Sequence, residues 1–324
     1  MPVELSDAIK NLRYIPSSIE GLNEVYGGYV YNSDEIVALY GKPQVGKTLF
    51  CLQEAVASNA NVLYIDTEGG FRGMASKWLD VLRARFKTEG KIYLESSKNL
   101  MSLMEFFGFK TKVVFQTAGD DEDEGDEGTE IRSRKKPETV EEKIKMMQKQ
   151  EKREMREKGK MEFRVLEKYD NAPIDVWIKE NKIGFVILDS ITAPVRVIMP
   201  EERQNLPARA TAMAIIMGKL VNLQQNHNVC VLVTSHASFD PTNPHSVAQM
   251  RGGVAVYHFA KRIIYMDARD KKDLRDYRRM WIMRIEDEPK ATTVVGVRID
   301  DVGFHYEKDV RKLLTEAEVS RFGG

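Results

Sequence analysis

The stretch Glu35-Ile-Val-Ala-Leu-Tyr-Gly-Lys-Pro-Gln-Val-Gly-Lys-Thr48 runs from an apolar, β-rich segment directly into a complete G-x-x-x-x-G-K-[ST] loop. Residues 49–59 continue with the periodicity of an amphipathic helix. A strand, a glycine-rich loop and a helix in this order form a cradle for phosphate, because backbone N–H groups and the positive end of the helix dipole converge on the anion. The pattern predicts a nucleoside triphosphate site.

Each residue type in this loop has a chemical task. Gly41 and Gly46 let the backbone curl so that successive N–H groups face phosphate oxygens. Lys47 is expected to bridge the outer phosphates, and the hydroxyl of Thr48 is expected to bind Mg²⁺. The predicted nucleotide-binding segment comprises Gly41, Lys42, Pro43, Gln44, Val45, Gly46, Lys47, Thr48 and Leu49.

The overall composition is that of an ordinary globular enzyme. The chain has 324 residues, of which 42% are hydrophobic, and it has no apolar run near the roughly 20 residues that span a bilayer. Residues 1–14 lack the basic start and apolar core of a secretion signal, so we expect a cytoplasmic location and no membrane partner. The 49 basic residues equal the 49 acidic ones, so only a local patch could bind nucleic acid.

Acidic side chains follow the next apolar strand, Asn61-Val-Leu-Tyr-Ile-Asp66. Strands and helices alternate along the chain, which predicts an α/β fold with a mostly parallel sheet flanked by helices. Ligands collect at the carboxyl edge of such a sheet, so Glu68 could position or activate a water molecule against the terminal phosphate. Two roles stay open for Asp66, a functional carboxylate or a cap on the following helix.

Two further strands end in polar residues. Ile183-Gly-Phe-Val-Ile-Leu-Asp189 is typical of a Walker B strand, which predicts that Asp189 holds a magnesium-bound water beside Thr48. The apolar segment 228–236 ends in His236. This histidine is either a sensor of the terminal phosphate or a cap on its strand, and the sequence leaves both open.

These elements, in this order, resemble the RecA/RadA recombinase superfamily and, within it, its archaeal RadA-like and RadB-like paralogues. The similarity covers about residues 15–306. It is carried by Ser17-Ser-Ile-Glu-Gly-Leu-Asn-Glu-Val-Tyr-Gly-Gly28, by Asp66-Thr-Glu-Gly-Gly-Phe-Arg72 and by Leu188-Asp-Ser-Ile-Thr-Ala193. The resemblance implies a RecA-like P-loop ATPase core, with ATP as the nucleotide and Mg²⁺ as the cofactor.

The resemblance also implies roles for single residues. Lys47 and Glu68 would be the catalytic pair, with Glu68 activating the attacking water. Neighbouring subunits complete the nucleotide site in this superfamily, and Lys261 and Arg262 are the candidates for such cations in trans. His236 departs from the family, whose members usually carry an amide side chain there, so the coupling between nucleotide and DNA is in question.

Filament formation is a second point of departure. No helix-hairpin-helix domain precedes the core, and no Phe-x-x-Ala tether lies ahead of Ile15. We therefore leave open whether the chain forms a homo-oligomer or joins a recombinase partner.

DNA is the expected macromolecular partner, with single-stranded DNA as the expected form. The first candidate surface is a loop that follows His236 and contains Asn243, His245, Gln249, Arg251, Gly252 and Gly253. The second is the turn 269–279, where basic and acidic residues alternate. Such alternation favours a solvated hairpin over a nucleic-acid surface.

An insertion at 119–160 interrupts the core. Residues 120–130 are almost wholly acidic, and 138–158 combine dense charge with high helix propensity, which predicts a partly disordered and partly helical excursion. The flanks 112–116 and 162–166 alternate like paired strands. Three roles stay open for the insertion: contact with an unknown protein, contact with nucleic acid, or a solvated decoration. The predicted organisation is an N-terminal extension (1–14), the core (15–308) and a C-terminal helix (309–324).

The function that these patterns favour is that of a Mg²⁺-dependent ATPase acting on DNA in recombination or repair, as an accessory paralogue. Two alternatives stay open. A KaiC-like regulatory ATPase would respond to a protein partner, and a non-catalytic scaffold would bind ATP without turnover.

Overall fold

The computed structural model describes residues 10–116, 160–199, 205–239, 248–269, 272–285, 288–315 and 318. It confirms the predicted α/β class, with a large, mostly parallel sheet that has helices on both faces. The central strands read as continuous apolar runs because both of their faces are covered.

Within the described residues, the helices are α1 (Glu20–Val25), α2 (Lys47–Ala57), α3 (Phe71–Phe86), α4 (Leu100–Phe106), α5 (Pro173–Glu180), α6 (Ala193–Ile198), α7 (Leu206–His227) and α8 (Gly253–Phe259). The strands are β1 (Tyr14–Ile15), β2 (Tyr31–Asn32), β3 (Ile36–Gly41), β4 (Asn61–Asp66), β5 (Ile92–Ser96), β6 (Phe109–Gln116), β7 (Lys160–Lys168), β8 (Ile183–Asp189), β9 (Cys230–Ser238), β10 (Gln249–Met250), β11 (Ala260–Asp267), β12 (Tyr277–Ile285), β13 (Glu288–Asp300) and β14 (Gly303–Glu307).

The strand order of the main sheet brings the predicted site together. The order is β14-β13-β12-β11-β3-β9-β8-β4-β5, with β11 through β5 parallel and β12 to β14 antiparallel. Gly41 pairs with His236, and Asp66 pairs with Asp189. Strand β9 therefore separates the phosphate-loop strand from the strand of Asp189, and all of these strands end at the same edge.

Successive residues of the central strands point to opposite faces of the sheet and pack into two separate apolar cores. Ala38 and Val186 belong to the apolar cluster on one face, whereas Val37 and Phe185 belong to the cluster on the other. Every residue of β3 and β8 is buried. This burial makes the central strands a rigid base for the loops at their carboxyl ends.

The antiparallel extension supports the helix that follows the phosphate loop. The ring of Phe304 in β14 packs edge-on against Phe50 of α2, with 5.8 Å between centroids. A Cβ atom on Gly46 would lie 3.0 Å from the Phe304 ring. Gln53 is fully buried, accepts from the Phe304 backbone N–H at 2.6 Å and donates to its carbonyl at 3.0 Å.

The predicted hairpin at the base of the insertion is confirmed. Strands β6 and β7 pair antiparallel, with Lys112 opposite Arg164. Apart from Lys160, the first residue of β7, the insertion predicted at 119–160 lies outside the described residues.

Both ends of the chain are described in part. Tyr14 already pairs with Asn32, while residues 1–9 of the predicted extension lie outside the described residues. Of the predicted C-terminal helix, Val310–Leu313 form a 3₁₀ helix, and residues 316–317 and 319–324 lie outside the description.

Among the described helices, none is both long and apolar enough to cross a membrane.

Candidate nucleotide site

The phosphate loop has the backbone geometry that its glycines permit. Gly46 has a φ of 108° and precedes α2, whose N-terminus carries no side-chain cap. Gly41 lies against β11 so closely that a Cβ atom would come within 2.3 Å of the Met266 carbonyl oxygen. Uncapped N–H groups at a helix start are available to an anion. The backbone of the loop has the geometry that a phosphate cradle requires, and phosphate binding by it stays a prediction.

Lys47 lies across this loop. Its side chain is part of a buried residue, and Nζ donates to the carbonyl oxygens of Gly41 at 3.1 Å and Lys42 at 3.0 Å. Burial lowers the pKa of Lys47, while the nearby carboxylates of Asp189 and Glu68 act in the opposite direction. The ammonium group is therefore within electrostatic reach of both predicted acidic residues.

The remaining loop residues divide by exposure. Lys42, Pro43 and Gln44 are exposed at the tip, and Thr48 and Leu49 are half-buried in the first turn of α2. Val45 is buried and its carbonyl accepts from Nε of Arg278 at 2.8 Å. The loop is thus held from the side of β12 by a residue that the sequence analysis placed in a basic turn.

Asp189 sits in an oxygen-rich pocket at the end of β8. It is 4% exposed and accepts hydrogen bonds from the hydroxyls of Tyr64, at 2.7 Å, Thr234 and Thr48. Burial raises the pKa of Asp189, and these hydrogen bonds oppose the rise. Carboxylate and hydroxyl oxygens are the donors that Mg²⁺ prefers, so Thr48 and Asp189 fit the predicted ion.

Asp66 takes the capping role that the sequence left open. Its carboxylate accepts from the backbone N–H groups of Glu68 at 3.1 Å, Gly69 at 2.7 Å and Phe71 at 3.2 Å. These bonds shape the turn from β4 into α3 and present Glu68 outward.

Glu68 and His236 are joined directly. Nε2 of His236 lies 2.8 Å from Oε1 of Glu68, and the Ser190 hydroxyl donates to the same oxygen at 2.7 Å. An ionised carboxylate only accepts, so Nε2 carries the proton. The hydrogen bond from His236 is the largest cause of a pKa of about 2 for Glu68. The hydrogen bond from Ser190 and the charge of Lys47 lower this pKa further.

These two residues also face a cleft. Glu68 and His236 line a cavity of about 780 Å³, whose wall includes Lys98 and Arg196. The side chain of Glu68 is 39% exposed, whereas that of His236 is 14% exposed. Solvent therefore reaches the carboxylate more readily than the imidazole.

Sequence reasoning missed Thr67 and Ser190. The Thr67 hydroxyl donates to the Ser190 carbonyl at 2.6 Å and accepts from the Ser190 N–H at 2.8 Å, which ties the end of β4 to the end of β8. The Asp189-Ser190 peptide bond is cis. The available signal was the position of both residues directly after buried strands.

The predicted DNA loop begins at His236. The His236 carbonyl accepts from the backbone N–H of Arg251 at 2.8 Å, and Gln249 lies in β10, which pairs with β9. Gly252 has a φ of 106° and precedes α8, which starts at Gly253. Asn243 and His245 lie outside the described residues, and DNA contact by this loop stays a prediction.

Arg262, a candidate cation in trans, is bonded within its own chain, and a role at a neighbouring subunit stays a prediction. It is 5% exposed, and its guanidinium pairs with Glu35 at 2.6 Å and donates to the carbonyls of Tyr29 and Val30. The parallel pairing of β11 with β3 places this side chain inside its own subunit. Lys261 is half-buried in the same strand, and its role stays a prediction.

The basic turn is likewise used in part within the fold. Arg279 pairs with Asp267 at 2.6 Å and with Glu318 at 3.0 Å, and Arg278 holds Val45. Arg279 is buried at 9% exposure, so these two arginines serve the fold, and the solvated-hairpin interpretation of the rest of the turn stays a prediction.

Comparison with known proteins agrees with this geometry. A family model described as an AAA domain matches residues 4–241. A protein of Pyrococcus furiosus named DNA repair and recombination protein RadB is 38% identical over 61 residues, which are 19% of this chain and 27% of that protein. Proteins of the same name from Pyrococcus abyssi and Pyrococcus horikoshii are 39% identical over 57 residues, or 18% of this chain and 24% and 25% of those proteins.

The chain thus matches only about a quarter of the length of these relatives. The match of the family model is far longer. The chain belongs to the AAA-domain family and, by its RecA-like P-loop core and its similarity to RadB, to the RecA superfamily.

Proposed function

We propose that this chain is a Mg²⁺-dependent ATPase that acts on DNA in recombination or repair, as an accessory paralogue of a strand-exchange protein. The observation that carries the proposal is the position of Glu68, a hydrogen-bonded carboxylate at the sheet edge within reach of the Lys47 charge. Similarity to proteins named for DNA repair and recombination supports the DNA part.

Nucleotide binding uses the loop and the start of α2. The backbone N–H groups from Gln44 to Thr48 surround the phosphates, and the uncapped helix end adds its partial positive charge. Lys47 exchanges the carbonyls of Gly41 and Lys42 for oxygens of the outer phosphates. Charge-assisted bonds of this kind are stronger than the neutral-acceptor bonds they replace.

Thr48 and Asp189 would hold the metal ion. The Thr48 hydroxyl is suited to bind it directly, and the buried carboxylate of Asp189 to hold one of its water ligands. When bound, Mg²⁺ supplies positive charge that offsets the charge on the phosphate oxygens. Tyr64 and Thr234 keep the Asp189 carboxylate oriented for this task.

Glu68 orients the attacking water. A base works best with a pKa near the working pH, and a pKa of about 2 makes Glu68 a weak base while His236 is bonded to it. In that state the carboxylate accepts a hydrogen bond from water and aligns it. Release of His236 removes the largest cause of the lowered pKa and makes Glu68 a stronger base.

His236 also provides a route from nucleotide to DNA. Its side chain contacts Glu68, while its carbonyl is bonded to Arg251 at the end of the predicted DNA loop. The Ser235 hydroxyl bonds to the Arg251 carbonyl, so a shift of this strand end moves the loop.

The testing experiment is steady-state ATP hydrolysis with and without single-stranded DNA, at low and moderate salt, with Lys47→Ala as the blank. Stimulation by DNA that fades as salt rises supports the proposal, because phosphate contacts weaken steeply with ionic strength.

Two other results would contradict the proposal, and each would favour a different function. Turnover that ignores DNA favours a regulatory ATPase controlled by a protein partner. Tight binding of a fluorescent ATP analogue without turnover favours a non-catalytic scaffold.

A further inference from the structure

We propose that Ser190 is a positioning residue that holds one oxygen of the Glu68 carboxylate and so selects the other oxygen for the attacking water. This inference rests on the proposed ATPase function. It concerns a residue whose hydroxyl has no part in the phosphate loop or in the Mg²⁺ ligands named above.

The first step is that Ser190 is itself fixed. The residue is fully buried, and its backbone N–H and carbonyl both bond to the Thr67 hydroxyl, at 2.8 and 2.6 Å. Ser190 thus directly follows β8 and is bonded to Thr67, which directly follows β4. A hydroxyl on such a support has few orientations, which is what a positioning group requires.

The second step is that only one of the two carboxylate oxygens of Glu68 accepts these hydrogen bonds. Ser190 and His236 both bond to Oε1, at 2.7 and 2.8 Å. Within the described residues, Oε2 has no hydrogen-bond partner. Because the side chain is 39% exposed and lines the cavity, Oε2 is the oxygen that a water can reach.

The third step is that the two anchors differ in what else they touch. His236 lies on β9 and is bonded through its carbonyl to Arg251, so it moves with the predicted DNA loop. The backbone of Ser190 is instead bonded to Thr67, at the end of the neighbouring core strand β4. When His236 turns away from Glu68 during turnover, Ser190 keeps Oε1 in place.

A purely structural role for the same hydroxyl must be separated from this one. Oγ of Ser190 also accepts from the backbone N–H of Ala193 at 3.3 Å, next to the start of α6. Loss of such a cap lowers the stability of the fold. A capping role would change the unfolding midpoint and would not act through Glu68.

The test begins with Ser190→Ala, using Ser97→Ala as the matched control. Ser97 is also a buried serine that donates to a glutamate, Glu95 at 2.8 Å, at the end of β5. We expect kcat of Ser190→Ala to fall about tenfold with KM for ATP changed less than about twofold, since misplacement costs rate more than binding. Ser97→Ala should keep the wild-type kcat.

A double-mutant cycle then asks whether Ser190 acts through Glu68. In single-turnover assays, Ser190→Ala should slow the wild type but leave Glu68→Gln unchanged, because coupled residues are non-additive. Equal slowing in both backgrounds overturns the inference, as does an unchanged kcat in Ser190→Ala.

Binding of a fluorescent ATP analogue with Mg²⁺ and the unfolding midpoint accompany each variant. A kcat loss with unchanged binding supports the inference, and a kcat loss that tracks weaker binding overturns it. Absence of turnover in the wild type would instead reject the proposed ATPase function, which keeps the two failures distinct.

Discussion

Nε2 of His236 lies 2.8 Å from Oε1 of Glu68, which joins the predicted nucleotide sensor to the predicted catalytic carboxylate. The Nδ1 atom of the same ring is buried and, within the described residues, without a partner. The hydroxyl of Ser190 donates to the same Oε1 of Glu68 at 2.7 Å, so two donors hold this one oxygen of the carboxylate.

The contact predicts the behaviour of His236→Ala. Without the hydrogen bond, the pKa of Glu68 rises toward its ordinary value, and the strand end no longer responds to the carboxylate. We expect ATP hydrolysis that no longer changes when single-stranded DNA is added. The ratio of rates with and without DNA measures this loss.

His305→Ala is the matched control for that experiment. His305 is also paired with a carboxylate, Asp300 at 2.9 Å, but in the β13 to β14 turn away from Glu68. It should keep the wild-type ratio. Undiminished DNA stimulation in His236→Ala would reject the sensor role.

Glu68→Gln tests the catalytic assignment. The amide keeps the size of the side chain but cannot take a proton from water, so we expect kcat to fall by about 10² to 10⁴. ATP binding should persist, because Lys47 and the loop are untouched. Glu95→Gln, at the end of the neighbouring strand β5, serves as control. Hydrolysis at the wild-type rate in Glu68→Gln would remove Glu68 from the mechanism.

Glu54 predicts a pH-dependent stability. This carboxyl on α2 is 1% exposed, and burial raises its pKa from 4.5 to about 7 although Ser17 and Ser18 donate to it. Between those values the unfolded chain releases the proton while the folded chain keeps it. The free energy of unfolding should therefore fall by about 3 kcal/mol as the pH rises from 4.5 to 7.

Urea unfolding of the wild type and Glu54→Gln across this pH range measures the effect. The variant cannot titrate and should lack this part of the slope, whereas Glu20→Gln, at an exposed position of α1, should retain it. Identical slopes in the wild type and Glu54→Gln would contradict the assignment.

We expect substitution of Arg262 to lower the free energy of unfolding and to leave catalysis between subunits unaffected. The pairing of Arg262 with Glu35 and its bonds to two carbonyls would all be lost in Arg262→Ala, which leaves the half-buried carboxylate of Glu35 without its cation. Breaking a buried pair in this way costs about 3 to 5 kcal/mol. Chemical unfolding measures the cost. An Arg262→Ala variant that is as stable as the wild type but no longer hydrolyses ATP would support the role of Arg262 as a cation in trans.

The sequence predicted what depends on local pattern. The phosphate loop, the buried strands and the acidic residues after them follow from neighbours in the chain, and so does the hairpin around the insertion. The sequence could not predict the contacts of Arg262. Glu35 and the carbonyls of Tyr29 and Val30 come close to this side chain only because β11 pairs with β3. The same holds for Ser190, whose partners Thr67 and Glu68 follow β4 and lie more than 120 positions earlier in the chain.

Gln53 and Phe304 are 251 positions apart, yet the buried amide of one bonds to both backbone polar groups of the other. The start of α2 carries Lys47 and Thr48, so the helix that presents them is completed by almost the last strand of the chain. During synthesis, the phosphate loop leaves the ribosome long before Phe304 does. The support for the start of α2 is therefore completed late, after β14 has emerged, and a stalled nascent chain that ends before β14 lacks it.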